Sequence, residues 1–153
     1  MQLKILKKPY MSLKWFQQKK KRNIMIGLIA LAAAVVLAIG IVFGVRFINY
    51  KKACNALESG NYHYAYQMFT RLKGFMDSED MAKLAIYRKA EADLQVQSYD
   101  TAIEAFSRLG NFRDSEERTM EAKFLKAEDL LSTERYESAY LLFQELGDYG
   151  QSK

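Results

Sequence analysis

Three stretches, YHYAYQMFTRL (residues 62–72), YDTAIEAFSRL (99–109) and YESAYLLFQEL (136–146), share the pattern Tyr-x2-Ala-x3-Phe-x2-Leu at a spacing of 37 residues. Steps of three and four put these residues on one face, so each stretch is expected as a short amphipathic helix. The Ala allows a neighbouring backbone to approach closely, and the Phe fills the space beside it. Downstream, the same offset links Phe75, Phe112 and Tyr149, and then Ser78, Ser115 and Ser152. Upstream it links Tyr50, Tyr87 and Phe124; Lys52, Lys89 and Lys126; Ala53, Ala90 and Ala127; and Leu57, Leu94 and Leu131. So many columns at one offset mark an internal repeat.

Each unit reads as two helices. After the short one come the loops GFMDSED (74–80) and GNFRDSEE (110–117), whose Asp and Ser suit a helix N-cap. Asp114 and Glu117 have capping-box spacing, and the acids that follow each cap favour the positive end of the next helix dipole. A longer helix is expected from about Ser115 to Leu131, with Met120, Phe124, Ala127 and Leu131 as its apolar stripe. Gly60, Gln97-Ser98 and Glu134-Arg135 turn the chain into the following short helix.

The pattern Ala-x8-Tyr-x2-Ala-x3-Phe, seen at Ala53, Tyr62, Ala65 and Phe69 and twice more, resembles the tetratricopeptide repeat. The period is 37 residues where that repeat has about 34, and its closing Pro column holds Asp77, Asp114 and Gln151 here. The loop Leu109–Ser115 resembles repeats common in membrane-anchored bacterial proteins, especially Gram-positive ones. The resemblance covers residues 46–149 and implies an all-α fold, an α-solenoid of about three helix pairs stacked on one another.

Upstream of the repeats, residues 24–45 read IMIGLIALAAAVVLAIGIVFGV, 22 residues without a charge. At about 1.5 Å per residue this run reaches roughly 33 Å, enough for a hydrocarbon core of about 30 Å. A cleavable signal peptide ending at Ala38 is the rival reading, but signal h-regions are shorter, and the length favours a retained anchor. Eight basic and no acidic residues precede the run, while Arg46, Lys51 and Lys52 follow it. The positive-inside bias puts the N-terminus in the cytoplasm and the repeats outside, in the cell membrane; the inverted topology is the alternative. The expected organisation is a basic cytoplasmic tail (1–22), a transmembrane helix (23–46) and a repeat domain (47–153). Repeat register places the first long helix inside the span, so one helix is expected from about Ile24 to Glu58, with the stack standing directly on the bilayer.

The whole chain has a net charge of +5, but residues 46–153 carry 15 basic and 18 acidic residues, a net −3. The positive charge belongs to the leader, so a nucleic-acid partner is not expected. One Cys and one His leave neither a disulfide framework nor a Cys/His zinc site. Neither a Gly-rich phosphate loop nor a Gly-x-Ser-x-Gly motif is present. His63 lies beside Tyr62 and Tyr64 without the acids of a triad. No catalytic, cofactor-binding or metal-binding residue is expected, and the chain is read as a non-enzyme.

Binding is the expected work, with a protein or peptide as partner and the membrane as anchor; self-association into a homo-oligomer stays open. Candidate partner-binding residues are the aromatic column Tyr50, Tyr87 and Phe124, which either lines a concave surface or packs between repeats. The neighbouring column Cys54, Glu91 and Glu128 is the second candidate. Cys54 fits a small packed residue, with palmitoylation or an intermolecular disulfide as the alternative. The lysine column fits solvated faces with local pairs such as Lys89–Asp93. The last short helix offers Tyr140, Leu141 and Leu142 as an exposed face. The rival function is an accessory or self-association module of a longer protein whose enzymatic or transport domain is missing.

Overall fold

The computed structural model describes residues 7–150, with side chains from residue 13 onward. Residues 1–6 of the basic tail lie outside the described residues, as do Gln151, Ser152 and Lys153. Among the described residues there are six helices and no strand: α1 (Lys7–Glu58), α2 (Tyr62–Leu72), α3 (Ser78–Gln95), α4 (Tyr99–Leu109), α5 (Ser115–Ser132) and α6 (Tyr136–Leu146). The chain divides into two units, Met1–Val45 and Arg46–Lys153.

In the first unit, helix begins at Lys7, well ahead of the apolar run. Pro9 falls in the first turn, where its missing N–H costs no hydrogen bond. Trp15 stands edge-on to Phe16 at 5.2 Å between ring centroids, and the Lys19 ammonium lies 4.9 Å from the Trp15 ring. From Ile24 to Phe43 every side chain is exposed, whichever way it faces. A helix apolar all round finds no partner in water, and this one is long and apolar enough to cross a membrane. The stretch 24–58 expected as one helix lies within α1.

In the second unit, the helices recur with their columns. α2, α4 and α6 have 11 residues each and start at the column of Tyr62, Tyr99 and Tyr136; α3 and α5 have 18 each and start at Ser78 and Ser115. Ala53, Ala90, Ala127, Ala65, Ala102 and Ala139 are all 0% exposed, as they must be where one helix backbone lies on another. Phe69 and Phe106 are fully buried beside them.

Each long helix contributes a ring that meets two aromatics edge-on. Tyr50 faces Phe69 (5.7 Å) and Phe75 (6.3 Å), and Tyr87 faces Phe106 (5.4 Å) and Phe112 (6.4 Å). Phe124 faces Phe143 (5.7 Å) and Tyr149 (6.3 Å). Such pairs add about 0.5–1.5 kcal/mol each beyond the area they bury.

The backbone repeats even where residues differ. Asn61, Ser98 and Arg135 each donate an N–H to the carbonyl five residues back, at 2.8 Å in all three copies. Gly60, Gln97 and Glu134 donate to the carbonyl three back, at 3.2, 3.0 and 3.1 Å. This is the Schellman closure, and its C′ residue is left-handed, with φ of +80°, +60° and +60°.

Two sequence expectations are corrected. Asp77 and Asp114 precede α3 and α5, but neither side chain makes a capping hydrogen bond. Each carboxylate instead accepts from a tyrosine hydroxyl of the preceding long helix: Tyr50 to Asp77, and Tyr87 to Asp114 at 2.8 Å. The α5 stripe is also displaced. Leu131 is 45% exposed, while Leu130 and Ala122 are buried, because α5 packs against both α4 and α6 and needs a face broader than one stripe.

Glu134 holds a left-handed conformation that costs an L-residue about 1–2 kcal/mol, at a site where the first copy uses Gly60. Glu134→Gly is therefore expected to stabilise the chain by up to about 1 kcal/mol, after the extra unfolded-state entropy of glycine is subtracted. Circular-dichroism melting in detergent should show a Tm higher by a few degrees; an unchanged or lower Tm would contradict the strain argument.

Candidate functional site

The six residues singled out from the sequence do not gather on one open surface. Tyr87 is 5% exposed, and Tyr50 and Phe124 are half-buried; all three spend their rings on the edge-on contacts within their own helix pairs. Cys54 is half-buried and packs against the core of Ala53, Ala65 and Phe69. Glu91 is half-buried on α3, 3.0 Å from the Arg88 guanidinium and 3.7 Å from that of Arg118 on α5. Arg118 also pairs with Glu121 and lies 5.7 Å from the Phe106 ring. Glu128 is exposed. Around Glu91 the surface is thus a charge network over an aromatic core.

Burial is the main reason the Tyr87 hydroxyl is pushed up to about 12 from its usual value near 10. Its hydrogen bond to Asp114 adds to this, and the negative charges of Glu91 and Asp114 oppose the phenolate further.

The open space lies elsewhere. A cleft of about 330 Å³ runs between α2 and α4 over α3. Tyr62, His63 and Tyr66 form one wall; Thr101, Glu104, Ala105 and Arg108 form the other; Ala85, Ile86, Lys89 and Asp93 form the floor. A second cleft of about 360 Å³ lies between α4 and α6 over α5. Seven of its eight lining residues, all but Arg135, fall on lining residues of the first when shifted by 37.

The two clefts differ in how their charges are satisfied. In the second, Lys126 of α5 pairs with Asp100 of α4, and Lys123 of α5 reaches Glu145 of α6 at 2.5 Å. These pairs tie the floor helix to each wall. In the first, the equivalents of Asp100, Lys123 and Glu145 are His63, Ile86 and Arg108, and the polar contacts run along single helices. Lys89 holds Asp93 at 2.7 Å, Arg108 lies 3.8 Å from Glu104, and His63 Nε2 is 2.8 Å from Gln67 Nε2. Its floor is apolar at Ala85 and Ile86 and charged at the Lys89–Asp93 pair, with Tyr62 and Tyr66 on one wall.

Matching columns reveals the fold but passes over this cleft, because its signal lies where the copies disagree: His63 against Asp100, Ile86 against Lys123, Asp93 against Leu130, Ala105 against Leu142 and Arg108 against Glu145. Among the described residues, no group of three or more His, Cys, Asp or Glu is placed to hold a metal ion. No family model matches the chain, and neither the curated proteins nor the solved structures contain a significant match.

The raised Tyr87 pKa makes a pH test. A hydroxyl that ionises near 12 when folded and near 10 when unfolded stabilises the fold fully below pH 10, and that contribution is lost as pH rises through 12. Tyr87→Phe keeps the ring and removes the bond to Asp114, so it should cost about 1–2 kcal/mol at pH 8. Between pH 10 and 12 the wild type should lose that advantage in melting experiments. A constant gap between the two proteins across this range would contradict the assignment.

Proposed function

We propose that this chain is a single-pass membrane protein whose residues 46–150 form a tetratricopeptide-like α-solenoid, and that it holds a protein or peptide partner at the membrane surface. The observation that carries this reading is the threefold recurrence, at 37 residues, of the Schellman closure and the edge-on aromatic trio, joined in one chain to an exposed apolar helix. Stacked helix pairs offer rigid, extended surfaces and grooves between helices. An anchor raises the effective concentration of whatever binds there.

The N-terminus is assigned to the cytoplasm and the repeats to the outer face. The Lys19–Arg22 cluster directly before the apolar run supports this, since such clusters stay on the side of anionic headgroups. The chain's role in this reading is recruitment, with assembly, secretion or envelope maintenance as the settings where a bacterial anchored scaffold serves.

Crosslinking in intact membranes, followed by purification of the full chain, should recover a discrete polypeptide with crosslinks mapping to residues 46–150. Recovery of lipid alone would count against the scaffold, as would turnover of a small molecule by the purified chain. Orientation has its own test. In a Cys54→Ala background, a cysteine placed at the exposed Asn111 should react with a bulky membrane-impermeant maleimide on intact cells; reaction only after lysis would reverse the topology.

A further inference from the structure

We propose that the hollow at the C-terminal end of α2 binds the phosphate of an anionic phospholipid headgroup. This rests on the membrane-anchor part of the reading above and adds a ligand that the protein-partner reading does not include. The hollow measures about 620 Å³ and is lined by Arg46 and Asn49 of α1 and by Met68, Arg71, Leu72 and Lys73. Three of these six residues are basic and none is acidic. Among the described residues, none of the three cations pairs with a carboxylate.

The second copy of the repeat balances the same positions. Shifted by 37, Arg46 and Arg71 become Lys83 and Arg108. Each has an acid one turn away on its own helix: Asp80 lies 3.5 Å from Lys83, and Glu104 lies 3.8 Å from Arg108. In the first copy the positions of those acids hold Phe43 and Gln67. Lys73 then adds a third cation where the other copies have Gly110 and Gly147, and all three have positive φ, +45°, +54° and +58°. Glycine takes such a conformation without strain, whereas lysine is held there at a cost to the fold. What the first copy gains in return is an ammonium beside two guanidinium groups.

Arg46 is already ordered for an anion. One of its N–H groups donates to the Leu72 carbonyl, and its guanidinium lies 4.9 Å from the centre of the Phe75 ring. A guanidinium has five N–H donors, so capping the last turn of α2 leaves others for phosphate oxygens. The lipid source follows from chain position. Arg46 is the first residue after the uncharged run 24–45, in the same helix, so it stands within about one turn of the point where hydrocarbon gives way to headgroups. Acyl chains hold a headgroup phosphate there at high local concentration, which a soluble phosphate does not have. An anionic lipid fits best, because a zwitterionic headgroup brings its own cation to the phosphate.

The test uses the full chain in phosphatidylcholine nanodiscs with a trace of phosphatidylglycerol that carries a diazirine on its headgroup. After irradiation and chymotryptic digestion, mass spectrometry should find label on residues 68–73. Unlabelled phosphatidylglycerol should suppress that label at least about tenfold more than the same amount of added phosphatidylcholine, and excess inorganic phosphate should leave it unchanged. Arg71→Gln combined with Lys73→Gly should lower the label by about tenfold or more, while label near Lys19–Arg22 stays. Lys73→Gly copies the other two repeats, Arg71 is exposed, and an unchanged or raised Tm verifies the fold. The proposal is overturned if residues 68–73 take no label, if the double variant labels as the wild type does, or if the two lipids compete alike. Removal of the label by inorganic phosphate overturns it as well and assigns the hollow to soluble phosphate. Label near Lys19–Arg22 with none at 68–73 leaves the anchor standing without this site, whereas no label at either end of the apolar run defeats the anchor itself.

Discussion

The edge-on meeting of one ring from each long helix with the phenylalanine of the next short helix sets the geometry of residues 46–150. The alanine columns make this contact possible. With Ala53, Ala90 and Ala127 fully buried on one side and Ala65, Ala102 and Ala139 on the other, the backbones come close enough for a ring to bridge the remaining gap. Aromatic quadrupoles disfavour face-to-face stacking, so each ring turns its edge to its neighbour and fixes the rotation of one helix about the other. Where the hydroxyl is present, at Tyr50 and Tyr87, it adds a directional bond to the Asp before the next long helix. The third copy has Phe124 and does without it.

Local pattern carried most of the fold because the helices are short, amphipathic and joined by tight turns. The starts at Tyr62, Tyr99 and Tyr136 and the alanine and phenylalanine columns follow from helical period alone. Positions with two competing partners were not readable in this way. Asp114 has the residue type and spacing of an N-cap, and only tertiary structure brings the Tyr87 hydroxyl within reach to claim it. Leu131 and Leu130 are equally apolar neighbours, and the choice between them depends on α6 lying across α5. The aromatic column illustrates the same limit: its spacing fits a binding face or a core, and burial of Tyr87 against Phe106 is a property of packing that one strand of sequence does not contain.

The first unit obeys a different solvent logic. Its apolar residues surround the helix instead of forming a stripe, so no rotation hides them from water, whereas in α2 and α4 one face suffices. The charges divide along the same line. Basic residues stand alone ahead of the apolar run, and mixed charges pair on the surfaces of the second unit, as Lys89–Asp93 and Arg88–Glu91 do. A net charge taken over the whole chain averages two environments and describes neither.

Repetition also separates what packing requires from what it leaves free. Many of the residues identical between copies are ones whose change would disturb packing: alanine at the crossings, phenylalanine beside them, serine at the buried helix starts. Residues lining the two clefts are less constrained: Lys89 and Lys126 match, but at most other lining positions the copies diverge in charge or volume. In one cleft lysine–carboxylate pairs tie the floor helix to each wall. Its twin, with arginine in place of glutamate and alanine in place of leucine, has its charges tied along single helices. The same backbone thus carries two ways of satisfying surface charge, one between helices and one within them, and the packing beneath is indifferent to which is used.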